Sequence, residues 1–444
     1  NTMTYRHKNK QLPSLFTVAF LTAFFCTAYA TALKAFEAPD KPSANSYYEG
    51  AVEINTNTGM IKAKWTITLS DKAQQNLTFG LRSSLENIMV EGENVSDLSL
   101  DQIDQMGGLK TLSFNLAEAD ANTPQTITIS YDGILLPEPL ENRINRMGPD
   151  YVELNVDSFW FPIDMRFNQT LTSKVDVTLE QSGWQGVTGG DVVEHDNGKQ
   201  FTIINTLPAL DVSFTLAPNF VITEGENFKI YDLRRKAVET DKMVTAAKQC
   251  YELLNPTFAG DNPLPAGRFV LHDRPSSGYS RYNYIALSSI AGQEQANTTG
   301  FLCHELGHYW SRHGNFGTVE NWLNESFAMT LELLATRHYF GDEVLNSRIS
   351  RLSERLDKTP TVPSIWDGKN LTRRPYIVNY VKGPVVLFQL EDRIGQAAFL
   401  AFVKAYISEQ ISTTPNLLKL LERQTNKTTA DWFKAKLAEE KAPA

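Results

Sequence analysis

Two histidines four residues apart, with a glutamate directly after the first, stand out in this chain: His304-Glu305-Leu306-Gly307-His308. On a helix, residues four apart lie one turn above each other on one face, so His304 and His308 can aim at a single metal ion. Neutral imidazole suits Zn2+, and a catalytic zinc commonly takes three protein ligands and leaves a position for water. Glu305 is offset from that face and can serve as general base toward the water, whose pKa zinc lowers to about 7. A third ligand is available downstream. The run Trp322-Leu323-Asn324-Glu325-Ser326-Phe327-Ala328 opens a second helix of apolar periodicity, and Glu325 would complete a set of two imidazoles and one carboxylate. The expectation is one zinc ion per chain.

These strings resemble the aminopeptidase N-type family of gluzincin zinc peptidases, in which H-E-x-x-H is followed by W-L-N-E-G-F-A carrying the third ligand. Further on, Tyr380-Val381-Lys382-Gly383-Pro384-Val385-Val386-Leu387 is similar to the family's Y-x-K-G-A-x-V-L segment, whose tyrosine stabilises the tetrahedral intermediate. The resemblance implies a β-rich domain followed by a thermolysin-like catalytic domain, with a peptide as substrate. It implies zinc on His304, His308 and Glu325, Glu305 as base, and Tyr380 as donor to the developing oxyanion. It is strong between Phe301 and Leu390 and weak in the β part.

The chain departs from the family pattern in three places. Sixteen residues separate His308 from Glu325 where the family has eighteen, and the linker from Ser311 to Thr318, with Gly314 and Gly317, can absorb the difference. The family's substrate-edge strand carries G-x-M-E-N, whose Glu binds the substrate's free amino group. The corresponding stretch here is Gly278-Tyr279-Ser280-Arg281-Tyr282-Asn283, which keeps the Gly and puts a cation near the place of the acid. Gly278 and Arg281 are therefore the expected substrate-side residues, with altered recognition of the N-terminus; Glu294 is the alternative anchor. About sixty residues follow Tyr380, which leaves no room for the family's C-terminal helical-repeat domain, so the cleft is expected to be more open or closed by a partner subunit. Glu332, two helical turns after Glu325, can receive the second N–H of a metal-bound histidine. His272, His313 and His338 read as structural.

The elements that must position these groups fall into two textures. From about Tyr47 to Ile222 short alternating runs recur, such as Met60-Ile61-Lys62-Ala63-Lys64-Trp65-Thr66-Ile67 and Lys174-Val175-Asp176-Val177-Thr178-Leu179, between turn clusters such as Asp196-Asn197-Gly198. That pattern predicts a β-sandwich or saddle over 46–222. After Glu224 the spacing predicts a helix over Lys236–Leu254, strands at Arg268–His272 and Tyr282–Leu287, and mostly helix from Thr299 onward. The fold class is thus α+β, with a mainly helical, thermolysin-like peptidase domain over 223–444.

A net charge of −9 argues against a phosphate backbone as partner, so no nucleic acid is expected. Arg6, Lys8 and Lys10 precede an apolar run from Leu15 to Ala30 that ends in Ala28-Tyr29-Ala30, the layout of a signal peptide over 1–30. Export to a periplasmic or extracellular space follows, with membrane contact only if that segment stays uncleaved. Cys250 and Cys303 read as small buried hydrophobes rather than as partners, although an oxidising space would permit one bridge. The sequence leaves oligomeric state and side-chain preference open. The competing functional class is a binding or scaffolding protein that keeps a relic zinc site.

Overall fold

The computed structural model describes residues 46–442 except 70–75, 105–106, 118–124, 138–143, 168–169, 235–236, 273 and 275–277. The expected signal segment lies outside the described residues. Among those residues no helix is long and apolar enough to cross a membrane.

The alternating runs become strands with one buried face. Along Ser46–Asn55 and Met60–Thr68 every second side chain is buried, as a half-covered sheet requires. These two strands are neighbours in a seven-stranded sheet in which Ser46–Asn55 also pairs, in parallel, with Leu171–Leu179. Among the described residues two four-stranded sheets make up the rest of the β domain. Trp65, Trp160, Phe161 and Phe214 meet edge to face in the core between the sheets, and Trp65 Nε1 donates to the Tyr131 hydroxyl at 2.9 Å.

The second domain opens with a five-stranded mixed sheet. Val221–Glu224, which spans the 222/223 boundary expected from the sequence, pairs with Phe228–Asp232. Gly267–Leu271 and Tyr284–Leu287 follow in parallel, and Tyr279–Arg281 forms the opposite, antiparallel edge. Among the described residues seven helices accompany it: α1 (Ala237–Phe258), α2 (Gln295–Gly307), α3 (Asn321–Lys358), α4 (Gly383–Ile394), α5 (Gln396–Ser408), α6 (Thr414–Gln424) and α7 (Lys427–Ala438). Helix α3 breaks at Gly341, whose φ of 87° lies in the region only glycine adopts freely. The shared core takes Leu302, Leu306, Trp322, Phe327 and Leu331 from α2 and α3.

The β domain grips the hairpin that ends in the edge strand. Tyr282 turns it with φ 58°, and its hydroxyl donates to the Pro208 carbonyl at 2.7 Å. Asn283 Nδ2 donates to the Gly189 carbonyl at 2.9 Å, and the Tyr284 and Thr215 hydroxyls lie 2.6 Å apart. Beneath them His272 and Arg274 pair with fully buried Glu153 of the β domain, so His272 has a structural partner across the domains.

One sequence expectation is corrected. Cys250 on α1 and Cys303 on α2 are fully buried, but they form a disulfide across 53 residues, with Cα atoms 5.2 Å apart. Helical periodicity places each cysteine on a core face; it cannot tell that two such faces meet. Closing a loop of this length stabilises by about 4 kcal/mol in the chain-entropy model. The double variant Cys250→Ala/Cys303→Ala should lose stability of that order in denaturant unfolding. Non-reducing peptide mapping of the parent should yield one linked peptide; two separate peptides would remove the bridge.

Candidate metal centre and active site

Helix α2 ends at the site. His304 lies in its last turn and His308 caps it, with the His308 amide bonded to the His304 carbonyl at 3.3 Å. Because the two are four apart, their rings converge: the Nε2 atoms are 3.2 Å apart and the ring planes nearly perpendicular. His308 Nδ1 faces the Ser311 carbonyl at 3.3 Å, which turns Nε2 inward. Glu325 enters from the first turns of α3. Its Oε2 stands 3.4 Å from His308 Nε2 and 3.8 Å from His304 Nε2.

The spacing fits a cation. Ligand atoms about 2.1 Å from one tetrahedral ion lie roughly 3.4 Å from each other. Glu325 Oε2 is buried with no hydrogen bond of good geometry, a state that costs free energy unless a cation takes the lone pair. Among the described residues, this is the group of three metal-seeking side chains whose donor atoms converge. Burial and the neighbouring His308 push the His304 pKa down to about 3, so its imidazole is neutral, as a ligand must be. Burial opposes charging His308 too, but the Glu325 carboxylate lifts its pKa to about 9.

The supporting shell is partly legible in the sequence. Glu332 Oε2 lies 3.6 Å from His304 Nδ1, and Arg348 pairs with the same carboxylate. Arg348 gave no sequence signal, since it sits sixteen residues along α3 beyond Glu332 and beyond the Gly341 break. The short linker is tied down by Asn324: its Nδ2 donates to the Gly314 carbonyl at 2.8 Å and its Oδ1 accepts from the Gly314 amide at 2.9 Å. Ser311 Oγ adds a bond to the Asn324 carbonyl at 2.8 Å. These bonds hold the start of α3, and with it Glu325, to the end of α2.

Two further side chains face the donors. Glu305 is buried, hydrogen-bonded by Ser280 of the edge strand, and burial raises its pKa above the ordinary carboxylate value. Tyr380 lies in a π-helical run, Ile377–Lys382, between a loop and α4. Its ring is 6.1 Å from that of His304, it stacks on Tyr376, and its hydroxyl bonds the Glu325 carboxylate. Such runs are rare and often lie at functional sites, because the extra residue re-aims a side chain.

Gly278 and Arg281 bracket the edge strand. A Cβ at Gly278 would come within 2.8 Å of the Ala286 carbonyl, so the glycine serves close strand approach. Arg281 does not stand there as an uncompensated cation. Its Nε donates to Asp211 Oδ2 at 2.6 Å, and the Asp211 side chain is fully buried. The repulsion of an ammonium expected from the sequence is weakened accordingly. Glu294 is exposed at the N-cap of α2, ten residues from His304 and so about 15 Å along the helix, too far to anchor a substrate at the metal.

Residues 280–435 match the Peptidase family M1 domain. The chain is 27% identical over 207 residues to aminopeptidase N of Streptomyces lividans, covering 42% of this chain and 23% of that protein. It is 26% identical over 142 residues to a probable M1 family aminopeptidase of Encephalitozoon cuniculi, covering 29% of this chain and 16% of that one. The matched stretch thus spans less than a quarter of these relatives. Among solved structures, an M1 zinc metallopeptidase from Deinococcus radiodurans superimposes with a TM-score of 0.63 at 16% identity, covering 90% of this chain and 94% of the other. Leukotriene A4 hydrolase from Saccharomyces cerevisiae gives 0.67 at 15%, covering 94% and 72%. The Deinococcus radiodurans structure is covered almost whole, and here a mainly helical domain bearing H-E-x-x-H follows a multi-sheet β domain, as the resemblance implied. What the chain shares with the M1 zinc metallopeptidases, the aminopeptidase N-type gluzincins that its H-E-x-x-H and W-L-N-E strings resemble, is thus a matching peptidase domain over 280–435 and the fold.

Proposed function

We propose that this chain is an exported zinc peptidase that hydrolyses the peptide bonds of short, extended peptides, aminopeptidase-like but with relaxed recognition of the free N-terminus. The observation that carries the reading is the convergence of Glu305 and Tyr380 on one triad of metal donors. A relic binding site has no use for both groups, so catalysis is the better reading. A Deinococcus radiodurans relative has been solved with a Tyr-Ser-Ala substrate, in keeping with a peptide as the ligand of this fold.

His304, His308 and Glu325 would hold the ion, which when bound makes water nucleophilic near neutral pH and polarises a carbonyl. The open edge Tyr279–Arg281 can add a peptide as a further strand, which lays the scissile bond beside Glu305. Glu305, made more basic by burial, takes the proton of the attacking water and returns it to the leaving amine. Tyr380 donates a hydrogen bond to the carbonyl oxygen as charge develops on it. The N-terminal basic-apolar segment and the Cys250–Cys303 bridge support export to an oxidising space.

Three measurements test this reading. Glu325→Ala should bind less than a tenth of the zinc found in the parent, about one ion per chain, by elemental analysis; full occupancy would remove Glu325 from the ligand set. Glu305→Gln should keep the zinc and lose nearly all turnover, whereas Tyr380→Phe should lower kcat by roughly 10²–10³ with a smaller change in KM. Wild-type turnover by Glu305→Gln would end the assignment of the base.

The third concerns the N-terminus. With Arg281 neutralised by Asp211, the strand offers neither a free acid to capture an ammonium nor a free cation to repel it. Matched N-acetylated and free peptides should therefore differ in kcat/KM by less than about tenfold, a discrimination of about 1.4 kcal/mol. A hundredfold preference for the free amine would mean that another carboxylate anchors it.

A further inference from the structure

The π-helical run that carries Tyr380 leaves one buried carbonyl without a backbone partner. In such a run each carbonyl accepts from the amide five residues on, and the Gly383 amide accordingly bonds the Val378 carbonyl. The Asn379 carbonyl would then need the amide of residue 384, which is Pro384 and has no N–H. Its α-helical alternative, the Gly383 amide, is already engaged. Asn379 is buried, so water cannot satisfy that oxygen cheaply.

Ser326 fills the gap. Its side chain is fully buried on α3, and Oγ donates to the Asn379 carbonyl at 2.7 Å. Room for the hydroxyl exists because residue 383 is glycine: a Cβ there would lie 1.9 Å from Ser326 Oγ. The bond joins the residue after Glu325 to the residue before Tyr380. Both Ser326 and Pro384 are also positions where this chain differs from the strings it resembles, W-L-N-E-G-F-A and Y-x-K-G-A-x-V-L.

We propose that Ser326 is a positioning residue for Tyr380, and that Ser326 and Pro384 form a compensating pair: the proline withdraws an amide from the Tyr380 turn and the serine hydroxyl replaces it. The role toward Tyr380 rests on the peptidase reading; the pairing of Ser326 with Pro384 does not. Loss of the hydroxyl leaves the turn with an unsatisfied carbonyl and frees it to drift from the metal donors. Replacing the proline supplies an amide five residues from Asn379 and makes the hydroxyl dispensable.

The test is a pair of mutant cycles on the zinc-loaded full chain. In thermal unfolding, Ser326→Ala should lower the Tm by about 4 °C, and Pro384→Ala added to it should recover most of that loss. In turnover, Ser326→Ala should lower kcat about tenfold, with KM and zinc content near the parent values, and the Ser326→Ala/Pro384→Ala double variant should return to within about twofold. In a Tyr380→Phe background, Ser326→Ala should cost no further kcat. Additive Tm shifts would overturn the compensation, whether or not the protein cleaves any peptide. A compensating Tm cycle with undiminished kcat in Ser326→Ala, or a kcat loss that persists without the Tyr380 hydroxyl, would overturn the positioning role. A parent with no turnover on any peptide would sink the peptidase reading and the role with it, while the Tm cycle would still decide the pairing.

Discussion

Two imidazoles and a carboxylate buried with their donor atoms in near contact constitute an arrangement that an apolar interior does not tolerate without compensation. Groups of this kind stay charged or hydrogen-bonded, or they hold a cation. Here Glu325 Oε2 has no well-formed hydrogen bond and both histidine Nε2 atoms face it. The surrounding structure meets the demand for rigidity that follows. Asn324 and Ser311 bind the end of α2 to the start of α3, and Glu332 with Arg348 steadies His304 from behind.

The β domain contributes more than a covering. Asp211, Pro208, Gly189 and Thr215 each hold a residue of the hairpin 281–284, so the strand that would receive substrate is fixed from the neighbouring domain. Glu153 with His272 and Arg274 lies under the same hairpin. A change in the β domain can therefore alter substrate handling without touching the metal donors, because among the described residues the edge strand pairs with one sheet neighbour.

Much of this was readable from local pattern. The i,i+4 spacing puts His304 and His308 on one helical face, and two turns along α3 bring Glu332 beneath Glu325. Alternation disclosed the β domain, and the helices over Lys236–Leu254 and from Trp322 onward match α1 and α3 in place. What escaped were contacts between distant segments. Asp211 lies seventy residues from Arg281, and nothing in the periodicity of either segment indicates that they meet. The Cys250–Cys303 bridge is hidden for the same reason. Phe228–Asp232 and Tyr279–Arg281 are short, and buried or edge positions give them no sustained alternation to read. The π-helical turn at Tyr380 depends on a packing detail, one serine hydroxyl against one carbonyl, that no helical pattern encodes.

The central claim is that one zinc ion lies between α2 and α3 on His304, His308 and Glu325. Anomalous diffraction from crystals of the zinc-loaded protein, recorded on both sides of the zinc edge, tests it most directly. The account predicts one strong difference peak per chain, about 2.0–2.2 Å from His304 Nε2, His308 Nε2 and a Glu325 oxygen, with Glu305 outside the coordination sphere. A peak ligated by Glu305 or Glu332 in place of Glu325, or no peak in that interval, would contradict it.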